Sequence, residues 1–155
     1  MKGILRDIVN AKKEEVALAK KECSLSELEA KATPAERNFK EALESKKHSI
    51  NLIAEIKKAS PLNGVLREDF DVAKIASIYD KHAQAISVIT DEKFFQGSKD
   101  YIKEVKQVST LPILRKEFVV DEYQLYESLC LGADAVLLIA SIVAKDKLQK
   151  FVGIA

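Results

Sequence analysis

The sequence predicts an α/β fold in which a helical N-terminal segment precedes about four parallel βα units. Through the first third of the 155 residues, apolar residues recur at helical spacings. From Asn51 onward the pattern changes, and short apolar runs alternate with amphipathic helical stretches. Alternation of this kind is typical of parallel strands that are joined by crossover helices.

Three helices are predicted in the N-terminal segment. Residues 4–22 carry apolar side chains at helical spacings, and Ser24 with Glu27 forms the capping box of a second, shorter helix. A third helix is predicted over 33–45, because its Thr-Pro start and the Glu that follows are favourable in a first turn. Residues 1–48 are therefore interpreted as an N-terminal helical extension.

Four short apolar runs follow, at 52–57 (LIAEIK), 85–90 (AISVIT), 112–118 (PILRKEF) and 135–140 (AVLLIA). The last run shows no polar alternation, as expected of a strand that is buried on both faces. The helices predicted between the runs have their caps at Asp71, Ser98 and Asp121. Gly132 is placed to end the third of them, and a further helical stretch covers 145–155. Residues 49–155 are therefore predicted to form about four βα units of a parallel sheet.

The charge balance argues against nucleic acid or a membrane surface as a partner. Lys and Arg number 25 and Asp and Glu number 24, so the formal net charge is +1 and no global field attracts a polyanion. The longest apolar stretch, 135–144, is about half the length of a membrane helix. The N-terminus lacks the apolar core of a signal peptide, so a cytoplasmic protein is expected.

No metal site is predicted from the potential ligands Cys23, Cys130, His48 and His82. None of them has a second ligand at a suitable spacing. The cysteines fall in helical patterns and are predicted to be buried or half-buried free thiols. The pair Lys12-Lys13 is predicted to lie on a solvated helix face.

The first strand carries two charges on one face. Glu55 and Lys57 are two residues apart and therefore point to the same side, at the C-terminal end of the strand. In a parallel barrel the helix-facing side takes the apolar set, so these charges are predicted to point inward, where barrel active sites are built. A structural ion pair is the alternative interpretation.

The third strand repeats this pattern. Leu114, Lys116 and Phe118 share a face, and Lys116 is predicted to lie in the same layer as Lys57. Two lysines that face one cavity suit a proton donor or a pocket for an anionic substrate. The alternative is that Lys116 faces outward as a surface charge.

Two loops after strands are notable. Phe94 and Phe95 follow the second strand and could cover an aromatic ligand, although packing against the rim is favoured when they are taken alone. The loop 60–69 after the first strand contains Pro and Gly and is predicted to be mobile over the mouth of the sheet.

A family resemblance is carried by LIAEIKKASP, SVITDEKFFQGS, PILRKEFVVDEYQLYES and GADAVLLIASIV. In order and spacing these segments resemble signature segments of indole-3-glycerol phosphate synthase, and ILRDIVNAKKEEV with AERNFKEAL resembles the helical extension of that family. The combination of E-I-K-K-A-S-P with L-R-K-E-F is specific. Glu117 is a departure, since the family commonly has Asp there.

The resemblance implies the N-terminal part of a (β/α)8 TIM barrel with a helical extension. It also implies ring closure of 1-(2-carboxyphenylamino)-1-deoxyribulose 5-phosphate, with loss of carbon dioxide and water, in tryptophan biosynthesis. No metal or organic cofactor is implied. The phosphate site of such barrels usually follows the seventh and eighth strands, beyond Ala155. A lone half-barrel is expected to be unstable, to self-associate or to be completed by further residues.

Site residues are implied by the same resemblance. Lys116 matches the general acid that protonates the ribulose carbonyl oxygen, Lys57 matches a lysine that contacts the anionic substrate, and Glu55 matches the carboxylate that orients them. The implied substrate-binding positions are Ser60, near the substrate carboxylate, and Phe95, Phe118 and Leu137, which wall an apolar pocket.

Two other hypotheses remain open from the sequence. One is a phosphoribosyl isomerase on a related barrel, and the extra N-terminal helices with the E-x-K pair count against it. The other is a flavodoxin-like or half-barrel module that binds a partner without catalysis. Such a module does not need Glu55, Lys57 and Lys116 in one layer.

Overall fold

The computed structural model describes residues 3–45 and 49–155, and its centre is a four-stranded parallel sheet. The strands, in spatial order, are β1 (Ile53–Ile56), β4 (Ala85–Ile89), β5 (Ile113–Lys116) and β6 (Ala135–Val136). Strands β2 (Ala59–Ser60) and β3 (Gly64–Val65) form a separate antiparallel hairpin. The loop predicted after the first strand therefore contains ordered pairing.

Helices precede and connect these strands: α1 (Ile4–Glu22), α2 (Leu25–Lys31), α3 (Phe39–Glu44), α4 (Val72–Tyr79), α5 (Glu92–Phe95), α6 (Asp100–Val108), α7 (Tyr123–Leu131) and α8 (Lys145–Ile154). The alternation of parallel strands with helices confirms the predicted fold class, a partial (β/α)8 barrel. The division of the chain at residue 48 stays a prediction. Within the described residues, no helix combines the length and apolarity needed to cross a bilayer.

The main core lies between the sheet and helices α4 and α6. Its strand residues are Ile56, Ile86, Val88 and Ile113, and its helix residues include Ile75, Ala76, Ile102 and Val105. Side chains alternate across a strand, so this apolar set turns Glu55 and Lys116 to the opposite face. Packing of the helices thus decides which residues face the site.

Local capping signals were predicted in part: α6 has Lys99 and α7 has Glu122 as its cap, each one residue beyond the predicted caps Ser98 and Asp121. Ser24 Oγ accepts a hydrogen bond from Glu27 N, and Ser24 N donates to Glu27 Oε2, so the predicted capping box is confirmed. Asp71 Oδ1 accepts from Lys74 N and caps α4 as predicted. Gly132 ends α7 in the left-handed region at φ 87°, which is favourable for glycine.

The predicted start of the third helix is wrong. Helix α3 begins at Phe39, with Asn38 as its cap, and the segment from 33 to 38 is not helical. The backbone N–H of Arg37 donates to Asp134 Oδ1 at 3.0 Å, and its guanidinium donates to Leu111 O at 2.7 Å. These long-range bonds to the sheet override the local helix signal.

The N-terminal helices α1 and α2 pack against α7. Tyr123 in α7 donates its hydroxyl hydrogen bond to Ala19 O of α1, and Cys130 Sγ lies 3.5 Å from Leu28 O of α2. Cys23 is half-buried as predicted, but Cys130 is exposed although its Sγ contacts Leu28 O, so the prediction of burial is wrong for Cys130. Of the histidines, His48 lies outside the described residues.

The link between the extension and the sheet can be tested at Asp134. Its two carboxylate oxygens accept hydrogen bonds from the backbone N–H groups of Arg37 and Ile113. Asp134→Ala is expected to lower the free energy of unfolding by about 1–3 kcal/mol, because both donors lose their partner. Urea unfolding measures this change. Asp69→Ala, at an exposed site, is the control, and equal losses in the two variants would contradict the prediction.

Candidate active site

Glu55 lies between two lysines on the sheet face that points away from the helices. Lys57 Nζ is 2.8 Å from Glu55 Oε1, and Lys116 Nζ donates a hydrogen bond to Glu55 Oε2. In the sheet, Lys116 pairs with Ile89 of β4, and Ile56 pairs with Val88, the residue before Ile89. Lys57 follows Ile56, so it lies at the level of Ile89 and therefore at the level of Lys116. The structure thus brings together the three charged residues that strand alternation placed in one layer, and Lys116 does not face the helices.

The lysines keep Glu55 ionised. Burial raises the pKa of Glu55, but the hydrogen bonds and charges of Lys116 and Lys57 outweigh burial, so its pKa lies below the ordinary glutamate value. The side chain of Glu55 is 27% exposed and that of Lys116 is 41% exposed. Solvent therefore reaches this cluster, and a ligand that approaches it meets two ammonium groups and one carboxylate.

An apolar recess adjoins Lys116. Phe95, Phe118 and Leu137 line a cavity of about 50 Å³ together with the charged residues Lys116 and Glu117 and two isoleucines. The rings of Phe95 and Phe118 have centroids 5.9 Å apart at an angle of 37°. The three predicted pocket residues therefore meet beside the predicted acid. The described residues form only one wall of a pocket, since drug-sized ligands occupy about 300 Å³ or more.

The loop after β4 brings Phe95 to this recess. Asp91 Oδ1 accepts a hydrogen bond from Phe94 N and caps α5. Gly97 N then donates to Asp91 O at 2.8 Å, which closes the loop against the end of β4. Helix α5 was not predicted, because it has only a single turn and reads as a loop.

Ser60 lies in strand β2, which contacts α5, the helix that carries Phe95. It is half-buried in the β2–β3 hairpin, and its Oγ accepts a hydrogen bond from Asn63 N at 3.3 Å. Contact with a substrate carboxylate therefore stays a prediction for Ser60. In the described part of the chain, no three His, Cys, Asp or Glu side chains are grouped so that they could hold a metal ion.

The profile of the family described as indole-3-glycerol phosphate synthase matches residues 5–155. The chain belongs to this synthase family. The match includes the strands that carry Glu55, Lys57 and Lys116, and also the N-terminal helices.

Curated proteins named indole-3-glycerol phosphate synthase are similar over nearly the whole chain. The one from Clostridium acetobutylicum is 53% identical over 152 residues, which cover 96% of this chain and 57% of the relative. The one from Thermoanaerobacter pseudethanolicus is 51% identical, covering 98% of this chain and 58% of the relative. One from Legionella pneumophila is 50% identical, covering the whole chain and 60% of the relative. The chain thus spans less than two thirds of the length of these relatives.

Lys12 is buried in this member of the synthase family, so the prediction of a solvated lysine is wrong. Lys12 is only 4% exposed. Its Nζ lies 3.1 Å from Asp91 Oδ2, 3.1 Å from Glu117 Oε1 and 2.6 Å from Glu15 Oε2. Burial lowers the pKa of Lys12, but the charge of Glu117 and the carboxylates of Glu15 and Asp91 outweigh burial and raise the pKa. Lys12 is therefore a cation throughout the range in which the carboxylates are ionised.

Arg115 is the second buried cation near the site. It is 1% exposed, and its guanidinium donates to Glu127 at 2.7 Å, to Ser128 Oγ at 3.0 Å and to Thr90 Oγ1 at 3.2 Å. Thr90 in turn donates to Glu117 Oε2 at 2.7 Å. One polar network therefore runs behind the candidate site of the synthase, from α7 through β5 to α1.

Both groups had signals in the sequence. Lys12 lies one helical turn before the buried Val16, so the stripe that buries Val16 also buries Lys12. Arg115 and Glu117 alternate with Lys116, so they face the helices when Lys116 faces the site. The signals were present, but the partners Asp91 of Lys12 and Thr90 of Arg115 lie too far along the chain to be paired with them from the sequence.

The close approach at Gly97 gives one testable prediction. A Cβ at this position would lie 2.4 Å from Ile89 O and 2.9 Å from Asp91 O, which are backbone atoms. Gly97→Ala is therefore expected to shift the loop that carries Phe95 and to lower the free energy of unfolding by about 1–3 kcal/mol. Thermal and urea unfolding measure this effect. Gly153→Ala, in α8 with no atom within 4 Å, is the control and is expected to be neutral or stabilising. Wild-type stability of the Gly97→Ala variant would contradict the prediction, because it would show that the loop accommodates a Cβ atom at this position.

The ion pair of Glu127 gives a second prediction, on pH. Burial raises the pKa of Glu127, but the charges of Arg115 and Lys99 outweigh burial and hold the pKa below its ordinary value. Such a carboxylate stabilises the fold above the ordinary glutamate pKa of about 4.3, and this stabilisation is lost as the pH falls through the folded-state pKa. Glu127→Gln is therefore expected to lower the free energy of unfolding by about 1–3 kcal/mol at pH 7, and by less at pH 3.

Urea unfolding of the Glu127 variant and wild type at the two pH values measures this difference. Glu14→Gln removes an exposed carboxylate of α1 and serves as the matched control. A loss of equal size at both pH values would mean that Glu127 contributes by packing and not by its charge.

Proposed function

We propose that this chain carries catalytic residues of an indole-3-glycerol phosphate synthase. The reaction closes the indole ring of 1-(2-carboxyphenylamino)-1-deoxyribulose 5-phosphate, with loss of carbon dioxide and water. The observation that supports the proposal is the position of Glu55 between Lys57 and Lys116, directly beside an aromatic recess. This arrangement suits a substrate with one aromatic and one anionic end.

Lys116 is proposed as the general acid. In the ring-closing step the aromatic carbon that bears the carboxylate attacks the ribulose carbonyl carbon, and negative charge develops on the carbonyl oxygen. A proton from Lys116 Nζ neutralises that oxygen, which becomes a hydroxyl group. Carbon dioxide then leaves the same ring carbon, and the hydroxyl later leaves as water. General acid catalysis of this kind contributes about 10²- to 10⁴-fold to the rate.

Lys57 and Glu55 are proposed to support this acid. The ammonium of Lys57 attracts the anionic substrate and assists proton transfer. Glu55 holds both ammonium groups in place by charge-assisted hydrogen bonds, because its own pKa is lowered and it stays ionised. The carboxylate of Glu55 thus positions the Lys116 side chain before the substrate binds.

The aromatic end of the substrate is proposed to lie against Phe95, Phe118 and Leu137. Their rings and aliphatic carbons form the apolar wall next to Lys116, so a bound anthranilate ring would present its reacting carbon to the acid. Ser60 is proposed to hydrogen-bond the substrate near its carboxylate, because β2 contacts the helix that carries Phe95.

The chain by itself is proposed to be incomplete as an enzyme. Strands β1 and β6 are the edges of the described sheet, and the phosphate site of such barrels usually lies after strands that this chain does not contain. Unpaired edges favour association with another chain, so the isolated 155 residues are proposed to self-associate. The substrate phosphate then needs groups from outside this chain.

The acid role gives the next prediction. The test uses a completed protein, in which the chain is extended at Ala155 with the C-terminal remainder of the Clostridium acetobutylicum relative. Its turnover of the deoxyribulose phosphate is followed by indole fluorescence. Lys116→Ala is expected to lower kcat by about 10²- to 10⁴-fold. Lys116→Arg is expected to remain slow, because a guanidinium keeps the charge but does not release its proton.

Lys103→Ala, on the exposed side of α6, is the matched control and is expected to keep full turnover. Turnover near wild type in Lys116→Ala would exclude Lys116 as the acid. If the completed protein itself shows no turnover, the proposed activity is wrong. The 155-residue chain is measured beside it and is expected to show none.

A further inference from the structure

Lys12 connects the two loops that carry the aromatic walls. Asp91 follows β4, and its Oδ1 caps α5, the helix that ends at Phe95. Glu117 follows β5, and its Oε1 accepts a hydrogen bond from Phe118 N at 2.9 Å. The Lys12 ammonium lies 3.1 Å from the second oxygen of Asp91 and 3.1 Å from Glu117 Oε1. A single cation therefore bridges the two segments on which the pocket depends.

The two carboxylates need this cation. The side chains of Asp91 and Glu117 are each 1% exposed, so water does not screen their repulsion. Asp91 Oδ2 is buried, and the Lys12 ammonium, 3.1 Å away, is the cation placed against it. Arg115 lies farther away, 3.8 Å from the other oxygen of Glu117. Removal of the Lys12 charge would therefore leave two like charges facing each other.

Lys12 is not among the residues that line the aromatic recess, and it reaches the recess only through its carboxylate partners. We propose that Lys12 is a positioning residue for the aromatic end of the substrate, because its bridge between Asp91 and Glu117 sets the separation of Phe95 and Phe118. The identity of the substrate rests on the synthase activity proposed above, whereas the bridge between Asp91 and Glu117 does not depend on that activity.

A positioning role predicts a specific kinetic result. A displaced aromatic wall weakens binding of the ring in the ground state and the transition state alike, which raises KM more than it lowers kcat. Lys12→Met in the completed protein is expected to raise KM about tenfold and to change kcat by less than about threefold. Lys12→Arg keeps the bridging charge and is expected to restore most of the affinity.

Lys13→Met is the matched control, because Lys13 is the exposed neighbour of Lys12 in the same helix. It is expected to leave both constants unchanged. A fall in kcat at constant KM in Lys12→Met would overturn the proposal, and so would wild-type values of both constants.

Lys12→Met could also fail to fold, because it leaves buried carboxylates uncompensated. The triple variant Lys12→Met, Asp91→Asn, Glu117→Gln removes both charges and keeps an amide at the α5 cap. If Lys12 positions the walls, this neutral network still shows the raised KM. A wild-type KM in the triple variant would mean that Lys12 only offsets charge, and the proposal would be wrong.

A spectroscopic measurement separates this proposal from the proposed activity. The completed protein is labelled with fluorophenylalanine, and the resonances of Phe95 and Phe118 are assigned by their Leu variants. Loss of the bridge, in Lys12→Met or in the triple variant, is expected to shift or broaden both ¹⁹F resonances, while Lys13→Met leaves them in place. This outcome supports the bridge even if the deoxyribulose phosphate is not turned over. Unchanged resonances would overturn the proposal whatever the activity.

Discussion

Strand β5 carries charge on both of its faces, and much of the surrounding structure follows from this constraint. Lys116 faces the candidate site and pairs with Glu55, whereas its neighbours Arg115 and Glu117 face the helices. Buried charges cost several kcal/mol each unless they are paired and hydrogen-bonded. The packed helices therefore have to supply polar partners at this point, and α7 does so with Glu127 while α1 does so with Lys12.

The two halves of the candidate site are held by different means. Glu55 and Lys116 are strand residues, so backbone pairing through β4 fixes their relative height. Phe95 and Phe118 lie beyond the strand ends, and we propose that the buried ion pairs of Lys12 position them. The charged half is thus set by sheet register, and the apolar half is set by electrostatics inside a low-dielectric interior.

The sequence was informative where the signal was local. The first helix, the Ser24 capping box and the shared face of Glu55 and Lys57 follow from spacings of two to four residues, and each agrees with the structure. The failures involve partners far along the chain. The start of the third helix is displaced because Arg37 bonds to Asp134, 97 residues later.

Lys12 belongs to the same class of failure, since its carboxylate partners lie in loops after two different strands. A single sequence shows that a lysine falls in an apolar stripe of a helix, but it does not show that Asp91 and Glu117 pack against that lysine. The chemical roles proposed for Lys116, Lys57 and Glu55 rest on family resemblance, and the geometry adds that one carboxylate holds both ammonium groups.

The packing of the N-terminal helices α1 and α2 against α7 has a consequence for how the chain folds. Tyr123 bonds to Ala19, 104 residues earlier, and Cys130 reaches Leu28, 102 residues earlier. At a synthesis rate of about 5–20 residues per second, α1 and α2 leave the ribosome about 5–20 s before their partner does. Their apolar stripe stays uncovered during that interval, and closure of so long a loop carries an entropic cost. Helices α1 and α2 are therefore made well before α7, but they reach their native position only after α7 has been made.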